Sequence, residues 1–202
     1  MTEQVRLIRS FIAIELPQEA KDALAELQRK LNVQPSDGIK WVAPESIHLT
    51  LKFLGWVPAD RIEQIKRALS ESVTGFKTFE LRLSGLGAFP NLRRLNVVWC
   101  GLAGDLSHLN ALQQSVERRV SPLGYPTENR LFSPHLTLAR LRDEVALESK
   151  QKLAAKLVGT KFEPDIPIPV DSVNLMQSTL LPTGAIYNSL GSFVLNNNCD
   201  QL

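Results

Sequence analysis

From Ile8 to Leu16 apolar and β-branched residues occupy both phases of a period-two pattern (Ile8, Phe11, Ile12, Ile14), which predicts a mostly buried strand. After Pro17 the period lengthens, with Ala20, Leu24, Leu27 and Leu31 returning every three or four residues. A helix therefore starts at the proline, whose fixed φ suits a first turn. The segment from Gln34 to Glu45 carries Pro35, Gly38, Trp41 and Pro44 and reads as a loop. Ile47 to Leu54 reads as a strand closed by Gly55, and Pro58 opens a second helix with Ile62, Ile65 and Leu69 on one face, ending before Gly75.

Phe79, Leu81 and Leu83 alternate with Glu80, Arg82 and Ser84, the pattern of a half-exposed strand. Leu95, Val97 and Trp99 begin another, and Val98 and Cys100 make its second face apolar too, so it is expected to be buried. A helix from about Asp105 to Val120 uses Leu109, Leu112, Val116 and Val120. A strand follows at Pro134 to Leu141, and Asp143 is placed to cap a helix to about Leu157 with Leu153 and Leu157 inward. The chain is proline-rich after Phe162, offers Val170 to Gln177 as a strand, and turns at Pro182-Thr183-Gly184 into a last strand, Ala185 to Leu195, before a polar tail.

One stretch is written twice: His48-Leu49-Thr50-Leu51 and His135-Leu136-Thr137-Leu138. The chain has only three histidines, so the coincidence needs a cause. The shift of 135 − 48 = 87 also carries Pro17 to Gly104 and Pro58 to Val145, each at or near a helix start. Strand, helix, motif strand, helix, strand therefore occurs twice. The fold expected is α+β: a duplicated bilobal sheet fold with pseudo-two-fold symmetry, two antiparallel-type sheets lining a central cleft and helices outside. With no Gly/Ser-rich linker, residues 1–202 are expected to form one two-lobed domain.

Alternation in a strand puts His48 and Thr50 on one face, about 7 Å apart, with Leu49 and Leu51 on the other. The second copy does the same with His135 and Thr137. A lone histidine in an apolar strand is more often structural than catalytic, but packing alone does not demand histidine and threonine together twice. Brought into one cleft, the copies supply a general acid, a general base and two hydroxyl donors, a set suited to in-line chemistry at phosphorus.

The remaining candidates are weaker. His108 has no threonine two residues on and reads as a surface or capping residue. Lys52 shares the motif face under strict alternation, where a solvated lysine at the cleft rim is favoured over a phosphate contact, and Ala139 holds the matching place. Arg93, Arg94, Arg118, Arg119, Arg130 and Arg142 could form a basic track or be solvated singly. Trp41, Trp56 and Trp99 are read as core or cleft-wall residues. Gly85-Leu86-Gly87 lacks the third glycine and helix of a dinucleotide fingerprint.

Composition narrows this little. A net charge of +2 on 202 residues permits a polyanionic partner without requiring one. Cys100 and Cys199 form neither a disulfide framework nor a zinc spacing, so a reducing cytoplasm is the default. No apolar run approaches about 18 residues, and no signal-peptide order opens the chain. No Asp, Glu or Cys accompanies either motif at ligand spacing, so no metal and no cofactor are expected.

Phe11-Ile-Ala-Ile-Glu-Leu-Pro17, Trp41-Val42, His48-Leu-Thr-Leu-Lys-Phe-Leu-Gly55 and Phe132-Ser-Pro-His-Leu-Thr-Leu-Ala-Arg140 together resemble the two-histidine phosphoesterase superfamily. Within it they resemble the RNA 2′,3′-cyclic phosphodiesterases of bacteria and archaea, first described as 2′-5′ RNA ligases. The resemblance implies a bilobal sheet fold and metal-free hydrolysis of a 2′,3′-cyclic phosphate at an RNA 3′ end, such as that of a tRNA fragment, to a 2′-phosphate. Reverse 2′-5′ joining without ATP and a monomeric state are part of the same expectation. His48, Thr50, His135 and Thr137 would be catalytic, with the acid at His48 and the base at His135, roles that a pseudo-symmetric site can exchange. Phe53 and Arg140, each five residues after its histidine, would flank the terminal base, although strict alternation sends both to the leucine face. Three rivals stay open: a small cyclic phosphate such as an ADP-ribose derivative as substrate, an RNA-end-binding module without turnover, and a metalloenzyme using the two histidines.

Overall fold

The period-two segments become strands and the period-3.6 segments α-helices in the computed structural model, which describes residues 6–127, 131–181 and 184–196. The order is β1 (Leu7–Glu15), α1 (Gln18–Leu31), β2 (Ile39–Trp41), β3 (His48–Pro58), α2 (Ile62–Val73), β4 (Phe79–Asn91), β5 (Arg94–Gly104), α3 (Leu106–Val120), β6 (Leu136–Leu141), α4 (Leu147–Gly159), β7 (Pro167–Val170), β8 (Ser172–Leu181) and β9 (Gly184–Val194). Among the described residues these strands pair antiparallel throughout, and the sheet runs β7-β4-β5-β6-β3-β1-β8-β9, with β2 also on β6.

That order is the same architecture read from either end: β3, β1, β8, β9 on one side answer β6, β5, β4, β7 on the other. The last strand of each half crosses over, since β4 pairs with β5 and β8 pairs with β1. The halves are interlocked by backbone hydrogen bonds, which is why no linker separates them. The motif strands β3 and β6 meet at one registered pair, Leu49 with Leu136, β2 pairs with β6 from Ile39–Leu141 to Trp41–Ala139, and the halves so form one continuous curled sheet.

One face of the sheet is covered by helices. Leu24, Leu27 and Leu31 of α1, Ile65 and Leu69 of α2, and Leu109, Leu112 and Val116 of α3 are buried in one cluster with Ile12, Ile14, Leu49, Leu51, Leu136 and Leu138 of the strands. Asp105 caps α3 by accepting from the backbone N–H of His108, worth about 1 kcal/mol. On the opposite face lies a small cluster of Phe11, Ala13 and Met176 with Tyr187 against it. β1 thus separates its phases, Ile12 and Ile14 to the helices, Phe11 and Ala13 to the open face.

Several boundaries differ from the sequence reading. The loop before the first motif holds β2, and β3 does not stop at Gly55, which takes φ +72° and lets the strand continue to Pro58. A short 3₁₀ turn, Ala59–Arg61, precedes α2. Ala146 rather than Asp143 is the N-cap of α4, because residues 142–145 make a turn closed by Val145 N–H to the Arg142 carbonyl. The proline-rich segment is strand β7, tolerated because it is a sheet edge. Pro182, Thr183, Arg130 and Cys199 lie outside the described residues. No described helix is long and apolar enough to cross a membrane.

Candidate active site

The single β3–β6 pair assembles the motifs. Carrying its antiparallel register one residue to either side puts His48 across from Thr137 and Thr50 across from His135, all four on the face opposite Leu49 and Leu136. The two histidines are then diagonal neighbours, about 7–8 Å apart at the backbone, which leaves room for a phosphate between the imidazoles.

Both motif strands then break strict alternation at the same place. Ala13 pairs with Thr50 but Ile12 with Lys52, so Leu51 is an extra residue; Trp99 pairs with Thr137 but Val98 with Ala139, so Leu138 is its counterpart. Each is a β-bulge, which reverses the faces of everything after it. Consequently residues 48–53 and 135–140 share one burial pattern: half-buried, buried, half-buried, buried, buried, exposed. Phe53, 57% exposed, and Arg140 stand on the histidine face, not the leucine face that alternation assigns. Arg140 has no ion-pair partner among the described residues.

The bulges have matching supports that the sequence reading missed. Gln28 of α1, itself buried, donates from Nε2 to the Leu138 carbonyl (3.0 Å) and the Val42 carbonyl (2.7 Å). Gln113 of α3, also buried, donates to the Leu51 carbonyl (3.4 Å) and to Glu117 Oε1 (3.2 Å). The Leu138 carbonyl also accepts from the Val42 backbone N–H (2.9 Å), so Gln28 ties the bulge to the segment before the first motif. The signal was a glutamine on the apolar face of each first helix, 113 − 28 = 85 residues apart, close to the motif shift.

The bulge also overturns the reading of Lys52 as a solvated rim residue. Lys52 points to the helix side, its side chain 1% exposed, with Nζ 2.6 Å from Glu117 Oε2 and 3.1 Å from the Pro126 carbonyl. The second copy has Ala139 there and no such pair.

The two imidazoles are held alike. Nδ1 of His48 lies 2.8 Å from the Ser46 carbonyl and Nδ1 of His135 lies 2.7 Å from the Ser133 carbonyl. A carbonyl can only accept, so Nδ1 carries the hydrogen in both rings and Nε2 is the nitrogen left free to accept or give a proton. Ser46 and Ser133 are themselves 87 residues apart, so the repeat extends to Ser-x-His-Leu-Thr-Leu. Neither threonine hydroxyl is engaged by a partner among the described residues.

Around this common frame the two sides differ. Phe11 stacks on His48 at 4.5 Å and Tyr187 meets its edge at 5.1 Å. Burial among these rings holds the His48 pKa below the ordinary 6.5; the Ser46 carbonyl opposes the shift and the Lys21 ammonium adds to it. His135 instead meets Phe89 edge-on at 4.9 Å, and Phe89 packs on Trp99. A pocket of about 240 Å³ opens beside His48, lined by Glu15, Lys21, Ser46, Met176 and Tyr187 among others.

Other candidates resolve simply. Gly87 lies where a Cβ would enter the Trp99 ring, so the Gly85-Leu86-Gly87 run serves packing. His108 is exposed beside Asp105. The Cys100 thiol is pushed up to about 12 by burial, which leaves it protonated and unreactive. The arginines do not assemble: Arg118 and Arg119 end α3, Arg93 and Arg94 flank the β4–β5 turn, and Arg119 and Arg142 pair with Glu71 and Glu144. Among the described residues no three His, Cys, Asp or Glu side chains cluster as a metal site.

A family model described as LigT like Phosphoesterase matches the chain twice, over residues 14–99 and 103–187, once for each motif. The chain belongs to that family. A relative from Methanothermobacter thermautotrophicus named RNA 2′,3′-cyclic phosphodiesterase is 31% identical over 93% of this chain and 99% of its own. One of the same name from Thermotoga maritima is 33% identical over 91% of this chain and 93% of its own. Among solved structures, E. coli LigT complexed with 3′-AMP superposes with a TM-score of 0.75 at 26% identity, covering 94% of this chain and 99% of that one. Each matched stretch of this chain holds one Ser-x-His-Leu-Thr-Leu strand, at Ser46–Leu51 and Ser133–Leu138.

Proposed function

We propose that this LigT like phosphoesterase hydrolyses 2′,3′-cyclic phosphate ends of RNA to 2′-phosphates by paired histidine acid–base catalysis. The observation that carries the reading is the Leu49–Leu136 pair, which brings two equally tethered imidazoles and two uncommitted hydroxyls onto one face of adjacent strands. The names of the relatives support the substrate.

One histidine takes a proton from water as its oxygen bonds to phosphorus. The bond from phosphorus to O3′ breaks in line, and the other histidine protonates O3′, leaving a 2′-phosphate and a free 3′-hydroxyl. Thr50 and Thr137 donate to the non-bridging oxygens as charge builds there. We keep the acid at His48. Burial destabilises its charged form, so the imidazolium that forms against a bound phosphate anion is a strong acid and gives up its proton readily. His135, less enclosed, activates the water. Replacing water by a 5′-hydroxyl in the reverse direction would give 2′-5′ joining. Phe53 and Arg140 stand on the histidine face at opposite ends of the motif pair, Phe53 beyond Thr50 on β3 and Arg140 beyond Thr137 on β6, and each offers a flat surface, a ring or a guanidinium, on which any base can stack.

The test is an oligoribonucleotide ending in a 2′,3′-cyclic phosphate, with the product position identified and the reaction repeated after EDTA treatment. His48→Ala and His135→Ala should each lose most turnover, with the double variant little worse, because the residues act as a unit. Thr50→Val and Thr137→Val should cost about 10- to 10³-fold. Near-wild-type turnover by either histidine variant, or loss with EDTA restored by zinc or manganese, would overturn the mechanism.

A further inference from the structure

β3 carries a second bulge. Phe11 pairs with Phe53 but Ser10 with Gly55, which makes Leu54 the extra residue and brings Trp56 opposite Arg9. β1 has no extra residue, so Arg9, Phe11 and Ala13 share one face, and Trp56 shares it with them. The open face therefore reads His48, Thr50, Phe53, Trp56 along a single strand. Trp56 is 62% exposed, which core packing does not explain. Arg9 beside it makes one hydrogen bond, from its guanidinium to Ser178 Oγ at 3.1 Å, and has no carboxylate partner among the described residues.

We propose that Trp56 and Arg9 form a subsite for the nucleotide that precedes the cyclic-phosphate terminus, Trp56 stacking its base and Arg9 facing the phosphodiester that joins it to the terminal nucleoside. This rests on the reading of the His48–His135 cleft as the site of an RNA end. The spacing fits: the Phe11 and Arg9 rows are two residues apart in β1, about 7 Å, so consecutive bases of an extended strand meet consecutive aromatic rows. The chemistry fits as well, an exposed indole beside a guanidinium that no described carboxylate neutralises being a combination that binds single-stranded nucleic acid without reading its sequence. The enzyme is thereby tuned to oligonucleotide ends over cyclic mononucleotides. A substrate with no preceding nucleotide leaves the Trp56 row empty.

The experiment compares kcat/KM for a trinucleotide ending in a 2′,3′-cyclic phosphate with that for adenosine 2′,3′-cyclic monophosphate. The wild type should favour the trinucleotide, and Trp56→Ala should cut that ratio by about 5- to 150-fold, the worth of one base stacked on an aromatic ring. Trp56→Phe should restore most of it, and Arg9→Gln should lower it and weaken its salt dependence. An unchanged ratio in Trp56→Ala, or an equal fall on both substrates, overturns the subsite while leaving the catalytic reading intact. A wild type that hydrolyses neither substrate overturns both.

Discussion

Lys52→Ala separates the two places a lysine next to a catalytic strand can occupy. At a cleft rim its loss would weaken substrate binding and leave stability nearly unchanged. Buried against Glu117, its loss strands a carboxylate that keeps only Gln113 Nε2 and Ser121 Oγ, each at 3.2 Å, as donors. Removing one partner of a buried pair costs about 3–5 kcal/mol. Because two donors stay and the Glu117 side chain is 11% exposed, the lower end applies, about 3 kcal/mol. For a chain of this size each kcal/mol moves Tm by about 2–4 °C, so thermal unfolding should shift down by about 6–12 °C. Lys52→Met with Glu117→Gln removes both charges and should recover most of the loss, giving a coupling of about 2–3 kcal/mol in the double-mutant cycle. Measured well below the new Tm, kcat should fall less than tenfold, since Lys52 touches no cleft residue. A Tm loss under 2 °C, the behaviour of exposed pairs such as Lys30–Glu26, would refute the placement.

Phe11→Ala should open the wall over His48 and raise its pKa toward 6.5, so the pH limb that reports His48 moves upward; with His48 as acid this is the alkaline limb of kcat/KM, and movement of the acid limb instead would exchange the two roles. The same depression links to stability: neutral His48 favours the fold above its ordinary 6.5, and the contribution is lost as pH falls through the lower folded value, so the acid side of a Tm–pH curve should flatten in His48→Ala. Gln113→Leu should cost about 1–3 kcal/mol for the unpaired Leu51 carbonyl and raise KM more than it lowers kcat, because the bulge it steadies aims Phe53; a purely structural glutamine would shift Tm alone. Phe53→Ala should raise KM with a Tm change under about 2 °C, as an exposed ring contributes little to the core, and a large Tm loss would show the ring to be packed.

Most of the fold was legible because its signals are local. Each amphipathic helix appeared at its period, and the pairing of halves followed from an identical tetrapeptide at a shift of 87. What period-two reasoning could not see is the bulge. Nothing in Thr50-Leu51-Lys52 or Thr137-Leu138-Ala139 announces an extra residue, since bulges of this kind need no glycine. From that one omission came the misplacement of Lys52 and the leucine-face expectation for Phe53 and Arg140. Strand exchange was hidden for another reason: whether β4 returns to its own half or crosses to β5 depends on pairing partners far apart in sequence, which a local pattern does not encode.

The duplication explains why the same motif suffices twice while its surroundings diverge. Opening a cyclic phosphate asks for the same event at both ends of the in-line axis, a proton removed at one oxygen and a proton supplied at another. In the proposed mechanism two copies of Ser-x-His-Leu-Thr-Leu on a pseudo-two-fold would meet that demand, with Nδ1 tied down in each and Nε2 free. The substrate has no such symmetry, because one side of the phosphorus carries a nucleoside and the other faces solvent. The differences therefore belong where the strands leave the motif, with Phe53, Trp56 and Arg9 beyond His48 and Arg140 beyond His135. Exchanging Phe53 and Arg140 between the copies should test this: the acid–base pair stays intact, so single-turnover chemistry at saturating substrate should survive while KM for an RNA end rises. Collapse of the chemical step instead would show that the flanking residues shape the reacting geometry and do not merely hold the base.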